Sequence, residues 1–158
     1  MSTFQRYNTK VRIENGSIGV TLPVDRLAIR AVPNVGGGTT AQKLFDGRTR
    51  FKPPTFGYRI ELEWQNLGRH SDKLHEAVVF LVNVSNHTAN APVFKAHYDH
   101  TTGLFAPDKT IGPVVPEITD ETVKTMFEQR SRKNRPGTLT LHSRFANHAT
   151  PYSWLLES

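Results

Sequence analysis

His97, Asp99 and His100 fall within four positions and are the densest set of side chains that could ligate a metal or relay a proton. Zinc generally needs three or four ligands, and no second cluster at matching spacing supplies the rest; His142 or His148 could join only through folding. The pattern therefore reads as turn and surface histidines. Glu61 and Glu63 sit on one strand face about 7 Å apart, a separation that paired glycosidase carboxylates can use. They share that face with Arg59 and Gln65, which makes it an ordinary solvated face. Gly36-Gly37-Gly38-Thr39-Thr40 lacks the Gly-Lys-Ser/Thr ending of a P-loop and the spacing of a dinucleotide fingerprint. Gly16-Ser17-Ile18-Gly19 is not a nucleophile elbow, because Asn15 stands where the first glycine belongs. With no cysteine in the chain, disulfides, thiolate metal sites and cysteine nucleophiles are excluded together. The expectation is a protein without cofactor or metal that is not an enzyme.

Arg130, Arg132, Lys133 and Arg135 form the densest basic run and stand beside Pro136-Gly137, so they are the candidate phosphate contact. RNA-binding modules pair such bases with exposed stacking aromatics, whereas the nearest aromatic, Phe127, falls on the apolar side of its segment. A solvated turn is the plainer reading. The net charge of +6 is unevenly spread: up to Arg59 there are ten Lys/Arg against three Asp/Glu, so the basic surplus belongs to the N-terminal third. A field of this sign steers encounters with nucleic acid or an acidic protein surface without specifying either.

The elements that would position these residues are mostly strands. A chain of 158 residues that is 37% hydrophobic and 22% charged can bury a real core, which predicts one domain over residues 1–158. No apolar run approaches the roughly 18 residues of a membrane-spanning helix, and the opening MSTFQRYNTK has no signal-like stretch. Synthesis and folding in a cytoplasm, without membrane insertion, is the expectation.

Lys10-Val11-Arg12-Ile13-Glu14 alternates, Asn15-Gly16 follows, and Ile18, Val20 and Leu22 resume the alternation: a β-hairpin turning on Asn15-Gly16, with Pro23 ending its second strand. Arg26 to Val32 reads as a half-buried strand. Residues 33–54, broken by glycines and prolines, read as a long loop with at most a short element around Ala41 to Phe45. Tyr58, Ile60, Leu62 and Trp64 point one way in the clearest alternation of the chain. Ser71 caps a predicted helix whose stripe of Leu74, Val78 and Leu81 should pack on that strand. Pro92 to Tyr98 is a strand leading into an Asp99 to Gly103 turn, and Pro107, Pro113 and Pro116 mark a connection. Residues 119–132 fit a second short helix or a strand, with dipole-matched charges favouring the helix. A last strand carries Leu139, Leu141 and Phe145 inward. The fold class is mainly β (α+β): a β-sandwich or barrel-like domain with one packed α-helix.

The order hairpin, strand, long loop, then Gly57-Tyr58-Arg59-Ile60-Glu61-Leu62-Glu63-Trp64, a short helix, and a strand ending in Tyr98-Asp99-His100-Thr101-Thr102-Gly103 resembles small tail and baseplate proteins of tailed bacteriophages. The distal tail family is one of these. The similarity covers residues 57–105 best. It implies a sandwich or barrel assembled into a homo-oligomeric ring by edge or loop contacts, partnered by other tail proteins, and placed in the virion tail after synthesis in the host cytoplasm.

The long loop and the terminal Tyr152, Trp154, Leu155 and Leu156 are the candidate subunit interface, since apolar segments of this kind gain from cover by a neighbour. The alternative function is a basic nucleic-acid-binding module, which steep salt dependence would distinguish from a ring.

Overall fold

The computed structural model describes residues 3–33, 41–43, 47, 49–51, 55–65, 75–77, 79–80, 92–117, 136–145 and 147–157. They form a closed antiparallel barrel of six strands with very little helix. In chain order the strands are β1 (Thr3–Asn15), β2 (Ile18–Pro33), β3 (Ala41–Lys43), β4 (Thr49–Phe51), β5 (Phe56–Trp64), β6 (Val93–Lys95), β7 (Tyr98–Asp99), β8 (Leu104–Phe105), β9 (Thr110–Pro116) and β10 (Gly137–Ser143). The barrel runs β1-β2-β5-β10-β9-β6 and closes where Arg12, Ile13 and Glu14 pair with Lys95, Phe94 and Val93. β3–β4 and β7–β8 are separate two-stranded sheets.

The first hairpin is longer than the alternation suggested, and its turn lies one residue further on. Asn15 pairs with Ile18, so the turn residues are Gly16 and Ser17. Gly16 has a φ of +64° while neither Asn15 nor Ser17 is positive, as a turn with glycine at its first central position requires. The apolar faces survive this correction because moving the turn by one residue changes the pair sum by two, which preserves the in/out parity. Gly19 is fixed by crowding: a Cβ there would lie 2.8 Å from Glu14 Cβ and 2.9 Å from the Ile13 carbonyl oxygen. Gly19→Ala should therefore destabilise the domain by about 1–3 kcal/mol, the usual cost of overpacking. A denaturant midpoint equal to that of the parent protein would show that the hairpin relaxes freely around the methyl group.

Both strands of this hairpin change face halfway. On β1, Phe4 is buried, then Thr9, Val11 and Ile13; on β2, Val20, Leu22 and Val24 are buried, then Leu27, Ile29 and Ala31. The switch occurs at Asn8, whose φ is +50°, and at the facing Asp25, between the pairs Tyr7↔Arg26 and Thr9↔Val24. Asparagine tolerates this conformation better than most residues. The switch bends the ribbon, so the distal part of β1 pairs with β6 while the later part of β2 pairs with β5 from Arg26↔Glu63 to Pro33↔Phe56. One hairpin thus contributes to two walls of the barrel.

Proline did not stop the strands as its chemistry suggested. Pro23 lies inside β2, opposite Lys10 and beyond the stretch that pairs with β5, so its missing N–H costs no ladder bond on that side. Its carbonyl accepts the Trp64 Nε1–H at 2.6 Å. The segment from Thr110 to Pro116, expected as a connection, is a barrel strand. Pro113 faces a register shift between Val93 and Phe94 and needs only its carbonyl, which accepts the Arg144 N–H at 2.7 Å.

The core is as read for β5 and β10: Tyr58, Ile60, Leu62, Trp64, Leu139 and Leu141 are buried, and Phe94, Ala96, Ile111 and Val114 complete it. Phe145 is 52% exposed, because β10 ends at Ser143 and the alternation no longer applies. Residues 75–77 and 79–80 are helical, with Ala77 buried and Phe80 against the core. Leu74, Val78 and Leu81 lie outside the described residues, as does the 119–132 segment.

Candidate interaction surface

The terminal segment meets its own barrel. A 3-10 helix (Ser153–Glu157) carries Trp154 and Leu155 into the core, 5% and 1% exposed, with Tyr152 packed beside them. Tyr152 stacks between Tyr58 (4.8 Å) and Trp154 (5.5 Å), and Trp154 meets the edge of Phe4 at 4.8 Å. The Tyr152 N–H donates to the Tyr58 hydroxyl at 3.1 Å, and a bridge between Phe56 and His148 anchors the preceding loop. Burial pushes the Tyr58 and Tyr152 phenols up in pKa. Trp154 and Leu155 are thus committed to the intramolecular core rather than offered to a neighbour, and the side chain of Leu156 lies outside the described residues.

The outer face is laced with ion pairs. Arg12 donates to Glu14 at 2.8 Å and to the Thr21 hydroxyl at 3.0 Å, while Lys95 pairs with the other Glu14 oxygen at 2.8 Å. Hydrogen bonding from Lys95, aided by Arg12, holds the Glu14 carboxyl below its usual range. Glu63 pairs with Arg26 at 2.8 Å and Glu61 with Arg59 at 3.0 Å, so these two acids are tied to cations on the outer wall. Glu117 is lowered by its 2.9 Å contact with His142.

The histidine cluster is not gathered around a common point. His97 Nδ1 is buried without a hydrogen-bond partner, and burial, with Arg6 and Lys109 nearby, pushes its pKa down. Asp99 accepts the Thr101 N–H at 2.8 Å, and the bonds from Thr101 and Thr102 lower its pKa. His100 packs edge-on against Tyr98 at 4.9 Å. Among the described residues no group of three or more His, Cys, Asp or Glu side chains could hold a metal ion.

What the sequence reading missed is a meeting of cations with rings. Arg6 and Lys109 each approach the Phe4 ring at 5.4 Å, and Lys10 lies 5.1 Å over Tyr98. Lys109 is distant from β1 in sequence and reaches it only through closure of the barrel, so no local motif marked the group. Arg130, Arg132, Lys133 and Arg135 lie outside the described residues, as does Gly36-Gly37-Gly38. A cavity of about 230 Å³ lies near Trp64, rimmed by Tyr7, Asp25, Arg26, Glu63 and Thr138.

Comparison with protein-family models, with curated proteins and with solved structures found no match. Among the described residues no helix is long and apolar enough to cross a membrane.

Proposed function

We propose that this chain is a structural assembly protein without catalytic role, a barrel subunit that joins copies of itself and other components through projecting hairpins. The observation that carries this reading is the β3–β4 hairpin. It emerges between two adjacent barrel strands, β2 and β5, and pairs only within itself among the described residues, Ala41↔Phe51 to Lys43↔Thr49. A lone two-stranded sheet is marginal in water and gains stability when a partner covers its face or adds a strand to its edge. Leu104 on the β7–β8 hairpin and Ile18 beside the first turn, 69% and 67% exposed, offer apolar contacts on two further projections. The resemblance of residues 57–105 makes a ring in the tail or baseplate of a tailed bacteriophage the assembly that this reading fits.

Light scattering on the full chain tests it directly. An oligomer is expected at micromolar concentration. Replacing residues 34–54 by a short Gly-Ser turn, which the Pro33↔Phe56 pairing can accommodate, should yield monomers with an unchanged melting temperature. A full chain that remains monomeric at hundreds of micromolar, or an armless variant that assembles as before, would overturn the proposal.

A further inference from the structure

The cavity of about 230 Å³ lies beside the point where the first hairpin changes face. Tyr7, Arg26, Glu63 and Thr138, all on its wall, form one cross-strand row over four adjacent strands, β1, β2, β5 and β10. Asn8, with its φ of +50°, follows Tyr7 directly. The switch there lets Asp25 and Arg26, neighbours that a regular strand would send to opposite faces, line the same cavity. A non-glycine backbone of this kind is kept only where its surroundings enforce it, and such points gather at binding sites. The polar groups are set in advance. Arg26 donates to Glu63 Oε1 at 2.8 Å, and Glu63, with the Tyr7 hydroxyl after it, holds the guanidinium pKa above its ordinary value. The Tyr7 hydroxyl donates to the Gln5 side chain at 3.1 Å, so a ring that is 64% exposed is held at its tip. Asp25 Oδ2 accepts the Gln65 N–H at 2.7 Å, just past the end of β5. Groups fixed before a ligand arrives lose little freedom on binding it.

We propose that this cavity binds a single neutral sugar ring, seated on Tyr7 and hydrogen-bonded by Asp25, Arg26, Glu63 and Thr138. Two carboxylates against one guanidinium leave the wall with a net charge of −1 on a chain of +6, which disfavours phosphate, sulfate and carboxylate ligands. A cation is disfavoured in turn by Arg26, which stands between Tyr7 and Glu63 in the row. What fits is a neutral ligand whose groups both donate and accept. Hydroxyls do so, and the row meets them with donors on Arg26, acceptors on the two carboxylates and either role at Thr138. Most of the wall is apolar, Trp64 included. The negative face of an aromatic ring such as Tyr7 suits the C–H groups along one side of a sugar. The volume lies below the about 300–1,000 Å³ of pockets that enclose drug-sized ligands, which sets the occupant at one ring. The inference is independent of self-assembly through the β3–β4 hairpin.

Saturation-transfer difference NMR on the full chain tests it whatever the assembly state, with methyl α-D-glucopyranoside, methyl β-D-galactopyranoside and N-acetylglucosamine as probes. At least one should receive saturation, strongest at the C–H protons of one ring face, with a Kd in the millimolar range. Tyr7→Ala should abolish the transfer and Tyr7→Phe, which keeps the ring, should retain it. Glu63→Gln should raise the Kd about tenfold, as expected for loss of a charged hydrogen-bond partner. Glu61→Gln breaks the comparable pair with Arg59 outside the cavity and should leave the Kd unchanged. Thermal melts of each variant separate binding loss from unfolding. No transfer to any of the three sugars at tens of millimolar, transfer that survives Tyr7→Ala in a folded protein, or equal weakening by Glu61→Gln and Glu63→Gln would overturn the assignment. Transfer to methylguanidinium in place of the sugars would also overturn it, by making the cavity a socket for a basic side chain.

Discussion

Replacing Trp64 by alanine is expected to lower the unfolding free energy by about 3–5 kcal/mol, the range for truncating a buried aromatic. Trp64 is 1% exposed, ends the inward face of β5, and pairs across the sheet with Gly137 of β10. The glycine leaves that side of the contact without a side chain, so nothing large can collapse into the space. Trp64→Phe separates the two contributions. It keeps most of the apolar contact but strips the Pro23 carbonyl of its donor, and a buried unpaired acceptor costs about 1–3 kcal/mol. Urea unfolding with a constant slope checks both values. An alanine variant within 1 kcal/mol of the parent protein would contradict the burial of the ring.

Removal of residues 151–158 should have a larger effect still. It takes away Trp154 and Leu155, whose individual truncation costs about 3–5 and 2–5 kcal/mol, and uncovers Phe4 and Tyr58. Their combined loss is comparable with the whole stability of a typical domain, 5–15 kcal/mol, even after allowance for coupling between neighbours. The truncated chain should therefore be unfolded or molten at 37 °C, with collapsed amide dispersion in its NMR spectrum. A truncated protein that melts as the parent does would return the segment to the surface and restore its reading as a subunit contact.

The contrast between these two sites marks how far the sequence could be read. Tyr58 to Trp64 alternates cleanly because β5 lies in the barrel wall with one face in the core, so local periodicity carries the whole answer. The terminal aromatics have no partner nearby in sequence. Whether Tyr152 and Trp154 stack on Tyr58 and Phe4 or on another molecule depends on contacts that span most of the chain, which composition cannot reveal. The proline-containing strands failed for a related reason. A proline removes one donor, and its cost depends on whether that donor faces a neighbour; at Pro23 the answer lay in where β5 stops. The face switch at Asn8 was hidden because each half of β1 alternates properly and only their phases differ. The cation group followed the same rule, since Lys109 meets Phe4 only after closure.

The strand order also dictates when the chain can become a folded object. β10 sits between β5 and β9, and β1 is sealed by β6 across some eighty intervening positions. Until residues 137–143 slot into place, β5 and β9 each present an open edge, and the tail that caps Phe4 and Tyr58 arrives later still. Pairings this far apart make for slow folding, on the scale of milliseconds to seconds. From the completion of β5 until β10 is made, the emerging chain therefore carries one open strand border, joined by a second once β9 is complete, and its principal hazard over that interval is mispairing with a sibling.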